Sequence, residues 1–200
     1  VFLRLGEAAT VFSDQLATST SIDVKTSWAY GSAPSATVTV TGAHVAGSVT
    51  LLDGVRTLAT KALVDGTADV SLASLRPGTH HLTARFGGGP LAAASSSVPV
   101  TVKVSKASTS SSLGANDRSV RQGQKITFSV KVSAAGTTPT GRVQLRRGSK
   151  VVKTLTLSKG RASVRLTQKE RGSSTYTVRY LGSSTTSGST SKPVKVTVRR

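Results

Sequence analysis

Apolar and polar residues alternate along most of this chain. Val38 and Val40 alternate with Thr37, Thr39 and Thr41, and Ile126, Phe128, Val130 and Val132 with Thr127, Ser129 and Lys131. The same alternation runs through Val143/Leu145, Ala162/Val164/Leu166, Tyr176/Val178/Tyr180 and Val194/Val196/Val198. A period of two sends successive side chains to opposite faces, so each run predicts a half-buried strand. Turn signals separate the runs: Asp53-Gly54, Asp65-Gly66, Arg147-Gly148, Lys159-Gly160 and Arg76-Pro77-Gly78. No segment of helical length carries a helical period. Short strands with turns about every 8–12 residues predict an all-β sandwich.

The pattern occurs twice. Residues 47–104 align without a gap on residues 141–198, offset by 94, and 20 of the 58 positions are identical. The matches include Gly47/Gly141, Val49/Val143, Leu51/Leu145, Gly66/Gly160, Arg85/Arg179 and Pro99/Pro193. Thr18–Gly42 matches the chain from Ser108 more loosely, with a short length difference near Gly31 and Gly123. The 200 residues suit two domains of about 100 residues each. The expected fold is therefore two tandem immunoglobulin-like β-sandwich domains of about seven strands each. Residues 18–104 form the first, 105–112 a Ser-rich linker, and 113–200 the second. Residues 1–17 fall outside the repeat. Val1–Leu5 and Thr10–Phe12 read either as strands closing an upstream domain or as a strand added to the first sandwich.

Thr138-Pro139-Thr140-Gly141-Arg142-Val143-Gln144-Leu145 resembles the third strand of bacterial Ig-like repeat domains. The later order is also similar: an apolar hairpin, then Gly78-Thr79-His80-His81-Leu82-Thr83-Ala84-Arg85-Phe86, then a Pro-Val-Thr-Val ending. The resemblance covers roughly residues 18–198. It implies the sandwich fold and a secreted or cell-surface setting, where such repeats serve as stalks, adhesive tips or appendages of enzymes. An acidic Gly-Asp after the sixth strand, frequent in that family, is replaced here by Gly87-Gly88-Gly89 and Leu181-Gly182-Ser183, which weakens the expectation of a calcium site there.

Charge changes the picture because it is unequally shared. Residues 18–104 carry six Lys/Arg and four Asp, whereas residues 105–200 carry twenty Lys/Arg against Asp117 and Glu170. At aligned positions Leu52 becomes Arg146, Asp53 becomes Arg147 and Asp65 becomes Lys159. With Val143 and Leu145 inward, parity sends Arg142, Arg146, Arg179, Lys195 and Arg199 outward. The third, sixth and seventh strands of such a sandwich share a sheet, so these five predict one basic face. Lys131, Arg161 and Arg165 fall on the opposite sheet. A basic face attracts polyanions by releasing their counterions. The candidate partners are anionic cell-envelope polymers such as teichoic acids, acidic polysaccharide, an anionic membrane surface, and DNA bound non-specifically. The competing reading is that the cations keep a β-rich surface soluble and guard its edges.

Catalytic chemistry finds no constellation. Cysteine is absent, no G-x-S-x-G elbow occurs, and His80 and His81 are neighbours whose side chains diverge on a strand. Asp53 and Asp65 belong to Asp-Gly turns, and eight acids are too few to supply calcium ligands. No enzyme activity, metal or cofactor is expected. Phe86, Phe128, Tyr176 and Tyr180 have inward parity and read as core. Trp28 and Tyr30 share one face and read either as an apolar plug or as a small carbohydrate-stacking patch. The chain opens on Val1 and has neither a charged-then-apolar leader nor an apolar run of membrane-spanning length. It reads as a soluble fragment or mature product, a monomer by itself or part of a longer protein. The expectation is a non-catalytic stalk or surface-attachment module whose basic second domain contacts the cell envelope. The alternatives are accessory domains C-terminal to a secreted hydrolase, or a carbohydrate-binding module.

Overall fold

The computed structural model describes residues 15–32 and 34–200, and in it the chain is all β. The first sandwich comprises β1 (Ser19–Val24), β2 (Ser27–Ala29), β3 (Ser35–Thr41), β4 (Ser48–Asp53), β5 (Arg56–Ala62), β6 (Thr67–Ser71), β7 (Gly78–Phe86), β8 (Ser95–Ser96) and β9 (Val100–Ser105). One of its sheets has the order β1-β3-β6; the other runs β2-β9-β7-β4-β5, with β8 paired to β7. The second sandwich comprises β10 (Thr109–Ala115), β11 (Ser119–Arg121), β12 (Lys125–Ala134), β13 (Arg142–Arg147), β14 (Lys150–Thr156), β15 (Arg161–Thr167), β16 (Gly172–Tyr180), β17 (Ser189–Thr190) and β18 (Val194–Arg199). Its sheets repeat the plan, β10-β12-β15 against β11-β18-β16-β13-β14, with β17 on β16. Among the described residues, nine strands per sandwich exceed the expected seven because β2, β8, β11 and β17 are only two or three residues long. Runs that short show no periodicity.

Inward parity holds through the second core. Val120, Ile126, Phe128, Leu145, Tyr176, Val194, Val196 and Val198 pack as one cluster, and Val130, Val132, Val143, Leu157, Val178 and Tyr180 as another. Two-residue turns fix the registers. Val64 and Thr67 exchange backbone hydrogen bonds of 2.9 Å around Asp65-Gly66, and Ser158 and Arg161 do the same around Lys159-Gly160. Both central residues of each turn have positive φ, 49° and 75° in the first and 48° and 73° in the second, the conformation that matches strand twist. Gly160 also lies so close to β12 that a Cβ there would meet the Val132 carbonyl oxygen at 2.7 Å. Asp tolerates the left-handed region; a lysine held there costs about 1–2 kcal/mol.

The segment at 105–112 is not a linker. β9 ends at Ser105, Ala107 already pairs with Thr186 of the second sandwich, and β10 begins at Thr109 and pairs with β12. Its serines misled because β10 is built from them: Ser110, Ser111 and Ser112 alternate along a strand whose apolar share is small. The same geometry recurs at the start of the first sandwich. Leu16 donates its N–H to Leu91 O and accepts from Ala93 N, as Ala107 does with Thr185 and Ser187. Residues 15–17 therefore belong to the repeat as a strand-like addition to the first sandwich, while residues 1–14 of the N-terminal segment lie outside the described residues.

Hydroxyl groups clasp each sandwich at matching places. Thr18 Oγ1 donates to Ala93 O and is hydrogen-bonded to Ser95 Oγ, and Thr109 Oγ1 donates to Ser187 O and is hydrogen-bonded to Ser189 Oγ. Ser97 Oγ accepts the buried N–H of Ala84, and Ser191 Oγ that of Val178, each at 3.0 Å. One of the differences between the two cores is a linked pair. Phe86 and Ala92 are both buried in the first sandwich. Their counterparts Tyr180 and Thr186 are hydrogen-bonded at 2.6 Å, and Tyr180 Oη also donates to Thr140 O at 2.6 Å. Tyr180→Phe should therefore destabilise the protein by about 1–2 kcal/mol, since Thr186 loses a buried partner. Adding Thr186→Ala, which completes the first sandwich's own pair, should cost less than the sum of the two single changes in a urea-denaturation double-mutant cycle. Strict additivity would show that the two hydroxyls act independently.

Candidate polyanion-binding face

β13, β16 and β18 are consecutive in one sheet, and their registers decide which side chains share its outer surface. Val143 stands opposite Tyr180 and Leu145 opposite Val178, all four buried. Gln144 and Arg179 are therefore paired on the other side, with Arg142 and Arg146 two residues away on the same strand. Thr175 pairs with Lys195 and Ser173 with Thr197, which brings Lys195 and Arg199 to this surface as well. The structure thus places Arg142, Arg146, Arg179, Lys195 and Arg199 on one face of one sheet, as parity predicts.

The five cations form an oblique track rather than a cluster. Leu181 donates its N–H to the Arg142 carbonyl, so Arg142 lies level with residue 181 of the β16 path. Gly172 pairs with Val198, so Arg199 lies level with residue 171. Ten residues along a strand span about 33 Å. Between the cations the face offers Gln144, Ser173, Thr175, Thr177 and Thr197, all neutral hydrogen-bonding groups. No acid lies on these strands: Glu170 pairs with Arg147 at 2.9 Å, and Asp117 accepts the N–H of Ser119 at 2.9 Å. Glu170's hydrogen bond and charge hold the Arg147 guanidinium above its ordinary pKa.

Two details depart from the sequence reading. Arg146 is half-buried, beside a β-bulge between Leu145 and Arg146. Its Nη2 donates to Ser149 O at 2.6 Å and its Nε is buried without a partner, so it serves the β13–β14 hairpin as much as the outer face. Arg121 joins the track. β11 runs parallel to β18 and sets Arg121 opposite Arg199. A parallel three-residue edge strand has no signature in the sequence, which is why Arg121 was missed. The equivalent face of the first sandwich carries Ser48, Leu52, Arg85, Thr101 and Ser105 at the five predicted positions.

The aromatic pair offers no platform. Trp28, on β2 beside Val104 of β9, is only 8% exposed, and Tyr30 is half-buried. A buried indole cannot stack on a sugar, so Trp28 acts as the plug, and the paired carbohydrate-stacking patch of Trp28 and Tyr30 loses its indole. His80 and His81 diverge, the first half-buried and the second exposed. Asp53 holds both, its carboxylate accepting from His80 Nδ1 at 2.7 Å and from the N–H of His81 at 3.1 Å. The sequence assigned Asp53 to the turn alone.

Each half of the chain is thus a sandwich of the immunoglobulin type. The chain belongs to the bacterial Ig-like domain (group 3) family, whose model matches residues 20–105 and 113–199. No curated protein matches it. Among solved structures it is similar to the fibronectin(III)-like modules of Clostridium thermocellum CbhA, at 15% identity and a TM-score of 0.36, covering 90% of this chain and 92% of that one. It is similar to the D0-D1 domain of intimin, at 22% identity and a TM-score of 0.35, covering 89% and 97%. It is also similar to the Yersinia pseudotuberculosis adhesin InvE, at 17% identity and a TM-score of 0.43, covering 93% and 58%.

Asp53 gives this sandwich a pH signature. Burial raises its pKa, but the His80 hydrogen bond, the His81 N–H and the charges of His80 and Arg56 outweigh that and lower it below 3.8. The stability it contributes is present above its unfolded-state value and is lost as pH falls through the lowered folded value. An NMR titration of the Asp53 carboxyl should give a midpoint below 3.8 that returns toward that value in His80→Ala. A midpoint unmoved by His80→Ala would break the assignment.

Proposed function

We propose that this chain is a non-catalytic structural and interaction module of a secreted or cell-surface bacterial protein. Its second sandwich docks to anionic cell-envelope polymers through Arg121, Arg142, Arg179, Lys195 and Arg199, with a smaller part for Arg146. Membership of a bacterial Ig-like family supports the setting and the structural role. The observation that carries the docking is a contrast within one molecule. Two sandwiches with the same strand order and matching inward residues differ on the corresponding outer face, where Ser48, Thr101 and Ser105 stand against Arg142, Lys195 and Arg199.

Physical chemistry favours a polymer over a compact ligand. Cations spread over about 33 Å, with hydroxyl and amide groups between them, suit a chain that carries charge at intervals. Phosphodiester polymers and acidic polysaccharides meet that description. No aromatic side chain belongs to the track, so the face offers no stacking surface for reading bases, and DNA would be held by its backbone alone.

The test uses the full chain and a variant that borrows residues from its own first sandwich: Arg121→Ala, Arg142→Ser, Lys195→Thr and Arg199→Ser. Binding to purified cell wall and to teichoic acid is measured across a salt series. If about five charges are neutralised, log K against log salt should slope at roughly −3.5 to −4.5, and the variant should flatten it by roughly 3. An unchanged slope in the variant would remove this face from the account. No binding of the wild type at low salt would leave the cations as solubilising and edge-guarding groups.

A further inference from the structure

The opposite sheet of the second sandwich holds a more compact feature. Lys131 on β12 and Arg161 on β15 are directly paired in register, on the outer surface of the β10-β12-β15 sheet. Lys159 is two residues before Arg161, in the tight turn that leads into β15. The chain leaves β12, turns at Ala134–Thr137 and returns through Thr138 and Pro139. This encloses a shallow hollow of about 240 Å³, lined by all three cations together with Ser133, Thr137 and Thr138. No acid lines it, and none of the three charged heads has a hydrogen-bond or ion-pair partner among the described residues.

The arrangement runs against what the fold prefers. Like charges placed directly opposite one another across two strands repel. Lysine is also a poor occupant of the left-handed turn position, where φ is 48° and where the first sandwich uses Asp65. At the other two positions the first sandwich has Thr39 and Thr67, which pair across β3 and β6 as Lys131 and Arg161 pair across β12 and β15. The same backbone thus accommodates neutral and acidic residues at all three places. Two local preferences are overridden together, at one hollow, in favour of positive charge.

We infer that the hollow formed by Lys131, Lys159 and Arg161 binds a tetrahedral oxyanion, the phosphate or sulfate ester group of an anionic polymer. Arg161 supplies a planar fork suited to two oxygens, the lysines supply compact charge, and the hydroxyls of Ser133, Thr137 and Thr138 supply neutral donors. The inference rests on the polyanion reading for the identity of the natural ligand. It concerns a different sheet, and it stands or falls by a different measurement.

Inorganic phosphate is the probe. In NMR spectra of the full chain, the amides of Lys159, Gly160 and Arg161 should shift saturably with phosphate and not with sodium chloride at equal ionic strength. The variant Lys131→Thr/Lys159→Asp/Arg161→Thr, which installs the first sandwich's residues, should bind at least about tenfold more weakly, as loss of charge-assisted contacts requires. The outer-face variant Arg121→Ala/Arg142→Ser/Lys195→Thr/Arg199→Ser should keep the response. Competition then identifies the source: displacement by a glycerol-phosphate polymer marks a phosphate ester, displacement by a sulfated polysaccharide a sulfate ester, and displacement by neither overturns the proposal. Lys159→Asp alone should raise the melting temperature while weakening phosphate binding, and a fall would mean that Lys159 serves the fold instead. If phosphate produces no saturable shift while the polymer still binds, the hollow is refuted and the polyanion reading stands. Phosphate binding without polymer binding to the outer face refutes the docking reading and leaves the hollow.

Discussion

The pleat of paired strands is the constraint on which the rest of this molecule depends. Once Val143 stands opposite Tyr180 and Leu145 opposite Val178, every neighbouring side chain on β13 and β16 is committed to one face or the other. A slip of one residue would bury Arg142 and Arg179 and expose the core. The inward half of the central strands is therefore held to apolar residues, as in Val49/Val143, Leu51/Leu145 and Val102/Val196, all fully buried. The outward half carries no such demand, and there the two repeats part company. One backbone supports nearly neutral and strongly cationic surfaces because surface and core are separated residue by residue.

That separation explains what was legible in the sequence. Strand positions, the duplicated plan and the inward aromatics Phe86, Phe128, Tyr176 and Tyr180 followed from alternation. So did the shared face of Arg142, Arg179, Lys195 and Arg199, because parity and strand order together fix a face. Hydrogen bonds between distant, short or polar segments were not legible. β10 looked like a linker because it opens on Thr109 and three consecutive serines, and its pairing with β12 is supplied by backbone groups that every residue has. Leu16 beside Ala92 and Arg121 beside Arg199 are parallel pairings of one to three residues, too short to leave a period. Trp28 and Tyr30 had the right parity for two readings, and only burial separates them.

The apolar edge of the second sandwich shows the same balance of core against surface. Ala68, Val70 and Leu72 on and just after β6 are buried, whereas the identical residues Ala162, Val164 and Leu166 on β15 are half-buried. Leu75, buried in the first sandwich, is matched by exposed Lys169 in the second. The second sandwich has therefore exchanged some apolar cover for charge. With twenty Lys/Arg against two acids in residues 105–200, its charges repel one another more than they pair. Arg147–Glu170 is its one ion pair among the described residues, at a site largely open to solvent where such a pair contributes little.

Unpaired like charge at this density should cost the second sandwich part of its own stability. Site-resolved amide hydrogen exchange of the full chain, measured from low to moderate sodium chloride, tests it most directly. Salt screens repulsion beyond about 10 Å at 0.1 M, so protection across β12, β13, β16 and β18 should rise with salt while that of β3, β4 and β7 changes little. Protection in the second sandwich that stays flat or falls with added salt would contradict the account, because it would show that the cations are already in favourable arrangements within the fold.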